Sequence, residues 1–287
     1  MDNLRIETLK NRLRNYVGRL VGNNSNWRSH PVHEVLQKFR RFEQSAFLCG
    51  GAARDILVSE GRMIPRDLDI VIGCVSSTEQ ILSVFGDCGK KRMTRFGGLS
   101  VRVNDWTIDT WPLSATWALR EKRIEGNRIA DFPKTTFLDI EAVAVQLFSR
   151  RGHKRRIYSK GFFEAILGRA IEINLEDNPY PPICIVKALV TAHKFGFGIG
   201  PRLASYIAHH LNEIEIEELV QVQKDRYEVV LLSADTISLY IKTIKDHIRV
   251  SEGHITILPR AQTAAGFHTW TSDYRFEDKG GYLFSAT

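Results

Sequence analysis

Apolar side chains recur at helical intervals from the first residues: Leu4, Leu9, Leu13, Val17 and Leu20 are separated by Arg, Lys and Asn, which predicts a helix over residues 4–20. A polar loop from Gly22 to His30 follows, and Pro31 suits the first turn of a second helix running to about residue 44. The period then changes. Ala46-Phe47-Leu48-Cys49 is a short apolar run ending in Gly50-Gly51, and Ala52 to Val58 is compatible with a helix. After a polar loop with Gly61 and Pro65, the β-branched run Leu68 to Ile72, bounded by Gly73, reads as a buried strand, and Glu79 to Phe85 as a short helix. Leu99 to Val103 alternates, Asn104-Asp105 is a turn, and Trp106 to Trp111 alternates again, which predicts a β-hairpin. Beyond about residue 135 helical patterns dominate: Leu138 to Leu147, Phe162 to Leu167, Ile183 to Phe195, Leu203 to Leu211, Ile214 to Val222 and Ala234 to Ile248. Residues 251–287, with Gly253, Pro259, Gly266 and Gly280-Gly281, read as irregular or partly β. The order describes a small α/β domain with a helical continuation.

Composition narrows the class. The 287 residues are 43% hydrophobic and 25% charged, which excludes wholesale disorder and suffices for one large or two modest domains. Forty Lys+Arg against 33 Asp+Glu leave a formal charge of +7, which makes nucleic acid or nucleotides plausible partners without bearing on the fold. No run of about 18 apolar residues exists, so no transmembrane helix is expected, and the N-terminus lacks the apolar core of a signal peptide. Cys49, Cys74, Cys88 and Cys184 are scattered, as free thiols in a reducing compartment would be. The expectation is a cytoplasmic protein with no membrane association.

The sharpest local pattern is Asp67-Leu68-Asp69 leading into Ile70-Val71-Ile72. Two carboxylates two residues apart on a strand project to one face, and holding them side by side is costly unless a cation sits between them. Mg²⁺ is the usual cation for oxygen ligands that also hold a triphosphate. Taken alone, the pair also fits two exposed acids in a loop. Upstream, Gly50-Gly51 falls at a strand-to-helix junction, where backbone N–H groups and a helix N-terminus favour phosphate, and Arg54 sits one turn in; an ordinary turn is the other reading. Downstream, Asp109 lies on the second strand of the hairpin and offers a third carboxylate, or an ordinary strand-end acid.

The segment Leu48 to Leu57, then Arg66-Asp67-Leu68-Asp69-Ile70-Val71, closely resembles the head domain of the CCA-adding enzyme and bacterial poly(A) polymerase family, within the polymerase-β-like nucleotidyltransferases. Leu138 to Ala144 resembles the family's helix after the catalytic sheet. Lys160 to Ile171 resembles its following glycine, acid-aliphatic and arginine pattern, and Lys187 to Phe197 its neck helix with terminal Gly-Phe. Together these segments span about residues 46–200. The resemblance implies an α+β fold: N-terminal helices over 1–45, a mixed-sheet nucleotidyltransferase head over 46–145, a helical neck and body over 146–250, and the irregular segment 251–287. It implies a two-metal, template-independent transfer of a nucleoside monophosphate from an NTP or dNTP (ATP among them) to a 3′-hydroxyl, releasing pyrophosphate. Asp67 and Asp69 would hold Mg²⁺ (or Mn²⁺), and Asp109 would complete the site and activate the hydroxyl. Gly50, Gly51 and Arg54 would hold the triphosphate, with Arg95 and Gly97-Gly98 as weaker candidates. The acceptor would be an RNA 3′ end or a short nucleotide. Two alternatives stand beside this: synthesis of a small oligonucleotide signal, as in bacterial antiviral defence, and a non-catalytic nucleotide-sensing subunit. A protein partner or a homodimer is compatible with each.

The departures from the family's pattern are as informative. Where the family starts the helix after the sheet with an Arg-Arg-Asp-Phe type motif containing Asn, this chain has Thr135-Thr136-Phe137-Leu138, with Glu141 at the Asn position. The acid pair and arginines that read the incoming base are replaced by Tyr180-Pro181-Pro182-Ile183-Cys184, and Lys187 alone keeps a basic position. One basic run stands out: Arg150, Arg151, His153, Lys154, Arg155, Arg156 and Lys160, with no acid among them. It fits phosphate-backbone binding or a solvated loop equally. His30, His33, His209 and His210 lack the partners of a zinc site.

Overall fold

The computed structural model describes residues 2–22, 31–62, 65, 67–86, 88–94, 96–250 and 253–259. The chain is α+β, with two compact units. Among the described residues the first holds the chain up to Thr136 together with Ile140–Glu164, and the second holds Phe137–Asp139 and the chain from Ala165 onward. Among the described residues, no helix is long and apolar enough to cross a membrane.

The first unit is built on a seven-stranded mixed sheet. Its strands are β1 (Ala46–Cys49), β2 (Asp67–Ile72), β3 (Lys90–Met93), β4 (Leu99–Val103), β5 (Trp106–Pro112), β6 (Val143–Gln146) and β7 (Ile157–Ser159). They lie in the order β3-β4-β5-β2-β1-β6-β7, and every pairing is antiparallel except β2 with β5. Helices α1 (Asp2–Val21), α2 (Pro31–Lys38), α3 (Gly50–Val58), α4 (Thr78–Phe85) and α5 (Trp117–Arg120) belong to the same unit. Helix α1 buries Leu13, Val17, Leu20 and Val21 and leaves Leu4 in solvent, so the apolar stripe read from the sequence is used only from its middle onward. Ser77 and Gln80 close a capping box at the start of α4, which fixes where that helix begins.

Two expectations change, and two edge strands are new. The second helix stops at Lys38, and Phe39–Ser45 continues as 3₁₀ turns with Glu43 at φ 46°, because Phe39 and Phe42 both turn into the core. Residues 138–147 are not a helix. A 3₁₀ turn, Asp139–Glu141, leads into β6, which is buried on both faces. An unbroken apolar run hides its period, and the β-branched Val143 and Val145 suit a central strand. The new strands are the sheet edges: β3 carries Lys90, Lys91 and Arg92, and Arg156 and Lys160 flank β7, as edge strands that must resist further pairing often do.

The second unit is mainly helical: α6 (Phe162–Gly168) runs into it, followed by α7 (Pro181–Phe195), α8 (Pro201–His210), α9 (Ile216–Tyr227) and α10 (Ala234–Val250). A short parallel pair, β8 (Ala170–Ile171) with β9 (Gly198–Ile199), joins them. The Glu172 carboxylate accepts hydrogen bonds from the Leu203 and Arg202 amides at 2.7 and 3.1 Å and so caps α8. Helix α7 ends at Gly196, whose left-handed φ of 61° closes the last turn. Of the irregular segment expected over 251–287, only residues 253–259 are described, and Thr256 bridges to Ile199 there.

Candidate active site

Strand β2 starts at Asp67, so Asp67 and Asp69 point to one face while Leu68 and Ile70 point to the other; the first two are half-buried and the last two buried. Its parallel neighbour β5 aligns Asp109 with Asp69 and Thr107 with Asp67. Strands in register share facing, and neighbouring strands lie about 4.8 Å apart, so Asp109 stands beside Asp69 on the same face. One Asp109 oxygen is shut away from solvent. Farther along the strands the same face becomes an apolar floor of Phe47, Cys49, Val71, Trp111 and Phe132. The carboxylates therefore stand where a dry floor meets the half-exposed strand ends.

On the other side of β2, Cys49 aligns with Asp69. Burial, reinforced by the Asp69 charge, pushes the Cys49 thiol well up, so it stands beside Asp69 as a neutral group and not as a thiolate. Gly50 follows at φ 60°, opening α3, and a Cβ there would lie 3.5 Å from Asp69 Oδ2. The first turn of α3 thus comes up against the carboxylates, and only glycine takes this backbone conformation without strain. The N-terminal end of the nine-residue α3 offers backbone N–H groups and positive dipole to an anion held there.

Arg54, expected from the sequence to hold a triphosphate, lies with Nη2 3.2 Å from where a Gly51 Cβ would sit and also meets two carboxylates of its own chain. Its side chain is 10% exposed, with Nε donating to Asp55 and Nη1 to Glu141, both at 2.7 Å. Burial alone would lower its pKa, but the two carboxylates outweigh that and raise it. Glu141, the residue at the family's Asn position, is buried and serves as this guanidinium's counter-ion. Gly97 and Gly98 form the turn between β3 and β4. Thr94 and Gly98 bond each other's backbone and hydroxyl, the Thr78 hydroxyl donates to the Gly97 carbonyl, and a Cβ on Gly98 would meet the Thr110 carbonyl at 3.3 Å. Close packing on β5 accounts for Gly98. Arg95 lies outside the described residues. Lys187 is on α7, in the second unit.

The register also reveals residues that the sequence pattern does not mark. Ser100 aligns with Asp109 and Arg92 with Ser100; Arg102 aligns with Thr107 and Lys90 with Arg102. Two rows of side chains thus cross the sheet on the carboxylate face, and each ends in a cation on β3. The alternation of Leu99 to Val103 places Arg102, but nothing apolar in Lys90–Met93 marks it as a strand.

Oxygen-only donors beside a glycine-lined helix start fit a divalent cation of the Mg²⁺ type. Among the described residues, no three His, Cys, Asp or Glu side chains converge as a ready-made metal cage. Mg²⁺ does not require one, because it takes one or two carboxylates and completes its shell with water and substrate phosphate.

No protein-family model matches the sequence, and no curated protein matches it. Solved structures do match. One described as a tRNA-processing enzyme complex aligns at 17% identity and TM-score 0.51, covering 76% of this chain and 58% of that one. A tRNA nucleotidyltransferase complexed with a primer tRNA and an incoming ATP analog aligns at 16% identity and TM-score 0.51, covering 76% and 63%. The Bacillus stearothermophilus CCA-adding enzyme in complex with CTP aligns at 19% identity and TM-score 0.50, covering 75% and 52%. This chain spans 52% to 63% of the length of these three. What is shared is the fold.

Proposed function

We propose, on the premise that this chain has the fold of the CCA-adding and tRNA nucleotidyltransferases, that it transfers a nucleoside monophosphate from an NTP or dNTP to a 3′-hydroxyl without a template. The observation that carries this is the register: it sets Asp67, Asp69 and Asp109 on one face, with Gly50 against Asp69. Asp67, Asp69 and Asp109 would hold Mg²⁺, or Mn²⁺ in its place. When bound, the ion neutralises charge on the triphosphate and lowers the pKa of the attacking hydroxyl. The start of α3, with Gly50 and Gly51, positions the phosphates through backbone N–H groups. Asp109, beside the buried floor, takes the hydroxyl proton. The new bond joins the 3′-oxygen to the α-phosphorus, and the bond from that phosphorus to pyrophosphate breaks. The protein supplies position and charge, which is most of what phosphoryl transfer requires. Arg54, held by Asp55 and Glu141, is a positioning residue that fixes the first turn of α3. Lys187 remains a candidate contact for the incoming nucleotide. The acceptor is an RNA 3′ end or a short nucleotide, and the setting is a reducing cytoplasm, in keeping with four free cysteines.

The test is incubation of purified protein with Mg²⁺ and each labelled NTP or dNTP, with and without RNA, and separation of products by size. Labelled RNA supports the reading. Short products formed without RNA move the acceptor to a nucleotide and the role to signal synthesis. No product from wild type under any metal or acceptor overturns the transferase reading, whereas full activity in Asp67→Ala/Asp69→Ala overturns the site.

A further inference from the structure

Residues 150–156 of the basic run are not beside the carboxylates, whereas Lys160 follows β7 at the other end of the strands. Residues 150–156 belong to the connection between β6 and β7. The Leu147 amide donates to the Ala46 carbonyl at 2.9 Å, and Ala46 pairs with Ile72, at the opposite end of β1 and β2 from the Cys49–Asp69 pair. Three residues of strand, roughly 10 Å, separate the two places.

There the run meets two other segments. Arg14 on α1 donates through Nε to the Arg155 carbonyl at 3.1 Å, and Arg155 donates through Nε to the Leu147 carbonyl at 3.2 Å. Arg156 donates to the Gln44 carbonyl at 2.9 Å. With its amide oxygen turned toward it, Gln44 also takes the Arg150 guanidinium. Arg40 stacks 4.6 Å above the Phe148 ring, and Arg156 lies 5.6 Å from the centre of the Phe47 ring. Backbone carbonyls and rings hold these guanidinium groups. Among the described residues one carboxylate reaches them, Glu7 at 4.0 Å from Arg14, and Arg40, Arg150, Arg155 and Arg156 make no ion pair. Burial, and then the nearby charge of Arg40, lowers the pKa of the half-buried Arg155. Like charges gathered around a single carboxylate, Glu7 at their edge, repel one another, and a bound anion relieves that repulsion.

We propose that the surface formed by Arg14, Arg40, Arg150, Arg155 and Arg156 grips the phosphate backbone of a nucleic acid, at a place separate from the carboxylate row. Planar guanidinium groups fixed in orientation suit bidentate contact with phosphate. A membrane surface would call for apolar anchors among the cations, and no large apolar side chain within residues 36–48 or 147–157 is exposed. The surface does not rest on the transferase reading, because it is read by binding with no transfer step.

The test is titration of a labelled RNA hairpin with the full chain between about 50 and 200 mM salt, where each phosphate contact contributes close to one unit of log–log slope. Arg40→Gln/Arg156→Gln removes two exposed cations, and Arg151→Gln/Lys154→Gln two more from the rim of the same loop. Each double variant is checked for an unchanged unfolding temperature. We expect binding about tenfold weaker or more and a slope shallower by about 1–2 for the first pair, and a smaller loss for the second. Lys242→Gln/Arg249→Gln on α10 serves as a charge-matched control and is expected to bind as wild type. Equal binding and slope in wild type and Arg40→Gln/Arg156→Gln overturns the proposal. So does an equal loss in the α10 control, which would mean net charge alone. Binding to phosphatidylserine vesicles with none to RNA also overturns it.

Discussion

Replacing Glu141 tests how the start of α3 is held. Its carboxylate lies 2.7 Å from Arg54 Nη1, and the two side chains are 5% and 10% exposed. At that distance and an effective dielectric constant near 20, the gross attraction is about 6 kcal/mol, most of it offset by the cost of desolvating both groups. Glu141→Leu takes one of the two carboxylates at 2.7 Å from the buried guanidinium, and removing one partner of such a pair costs about 3–5 kcal/mol. Glu141→Gln keeps an acceptor oxygen and exchanges a charge-assisted hydrogen bond for a neutral one, so about 1–2 kcal/mol is expected. Arg54→Met/Glu141→Leu removes both charges and should recover much of the loss. Urea unfolding followed by circular dichroism gives the midpoints, compared at constant slope. Wild-type stability in Glu141→Leu, or a double variant as unstable as the sum of the two singles, would refute the ion pair as the element that seats α3.

Gly50→Ala should cost about 1 kcal/mol of stability from its left-handed backbone, yet abolish most nucleotide transfer by placing a methyl group against Asp69; a variant with full transfer would remove Gly50 from the site. Asp109→Asn should fold normally and lose about 10³-fold or more in Mg²⁺-dependent transfer, read as incorporation rate at saturating nucleotide. In the second unit, the buried Gln223 amide accepts from the Leu231 and Leu232 amides at 3.0 and 2.8 Å and donates to the Leu232 carbonyl at 3.0 Å, so Gln223→Ala should destabilise by about 2–4 kcal/mol in thermal melts. Burial lowers the His193 pKa from its ordinary 6.5. The unfolded chain therefore binds the proton more readily, and the His193 contribution to stability is complete above pH 6.5 and lost as pH falls below it. His193→Phe should flatten that acid limb in denaturation midpoints measured across pH, and an unchanged limb would assign it to other groups.

Strands β1, β2, β4 and β5 are legible in the sequence because they are short, apolar or alternating, and bounded by glycine or a turn, and this puts Asp67, Asp69 and Asp109 on strands. That Asp69 and Asp109 are register partners is not legible: β2 and β5 are parallel neighbours, and no hairpin fixes their alignment. The counter-ions of Arg54 are hidden for a related reason. Glu141 lies far along the chain, in a run whose uniform burial erases its period and makes a strand look helical. The edge strands β3 and β7 escape notice because charge, which protects an edge, also removes the alternation that marks a strand. Likewise the basic run is visible as composition, but its neighbours Arg14 and Arg40 are brought to it only by the fold.

The parallel pairing of β2 with β5 has a consequence for how the protein comes into being. All of α4, β3 and β4 lies between Asp69 and Asp109, so the third carboxylate joins the other two only after that stretch has folded back and β5 has slid in beside β2. Such long-range closure is slow relative to hairpins and helices. A nascent chain on the ribosome therefore carries Asp67 and Asp69 without their third carboxylate until β5 has emerged and the sheet is whole.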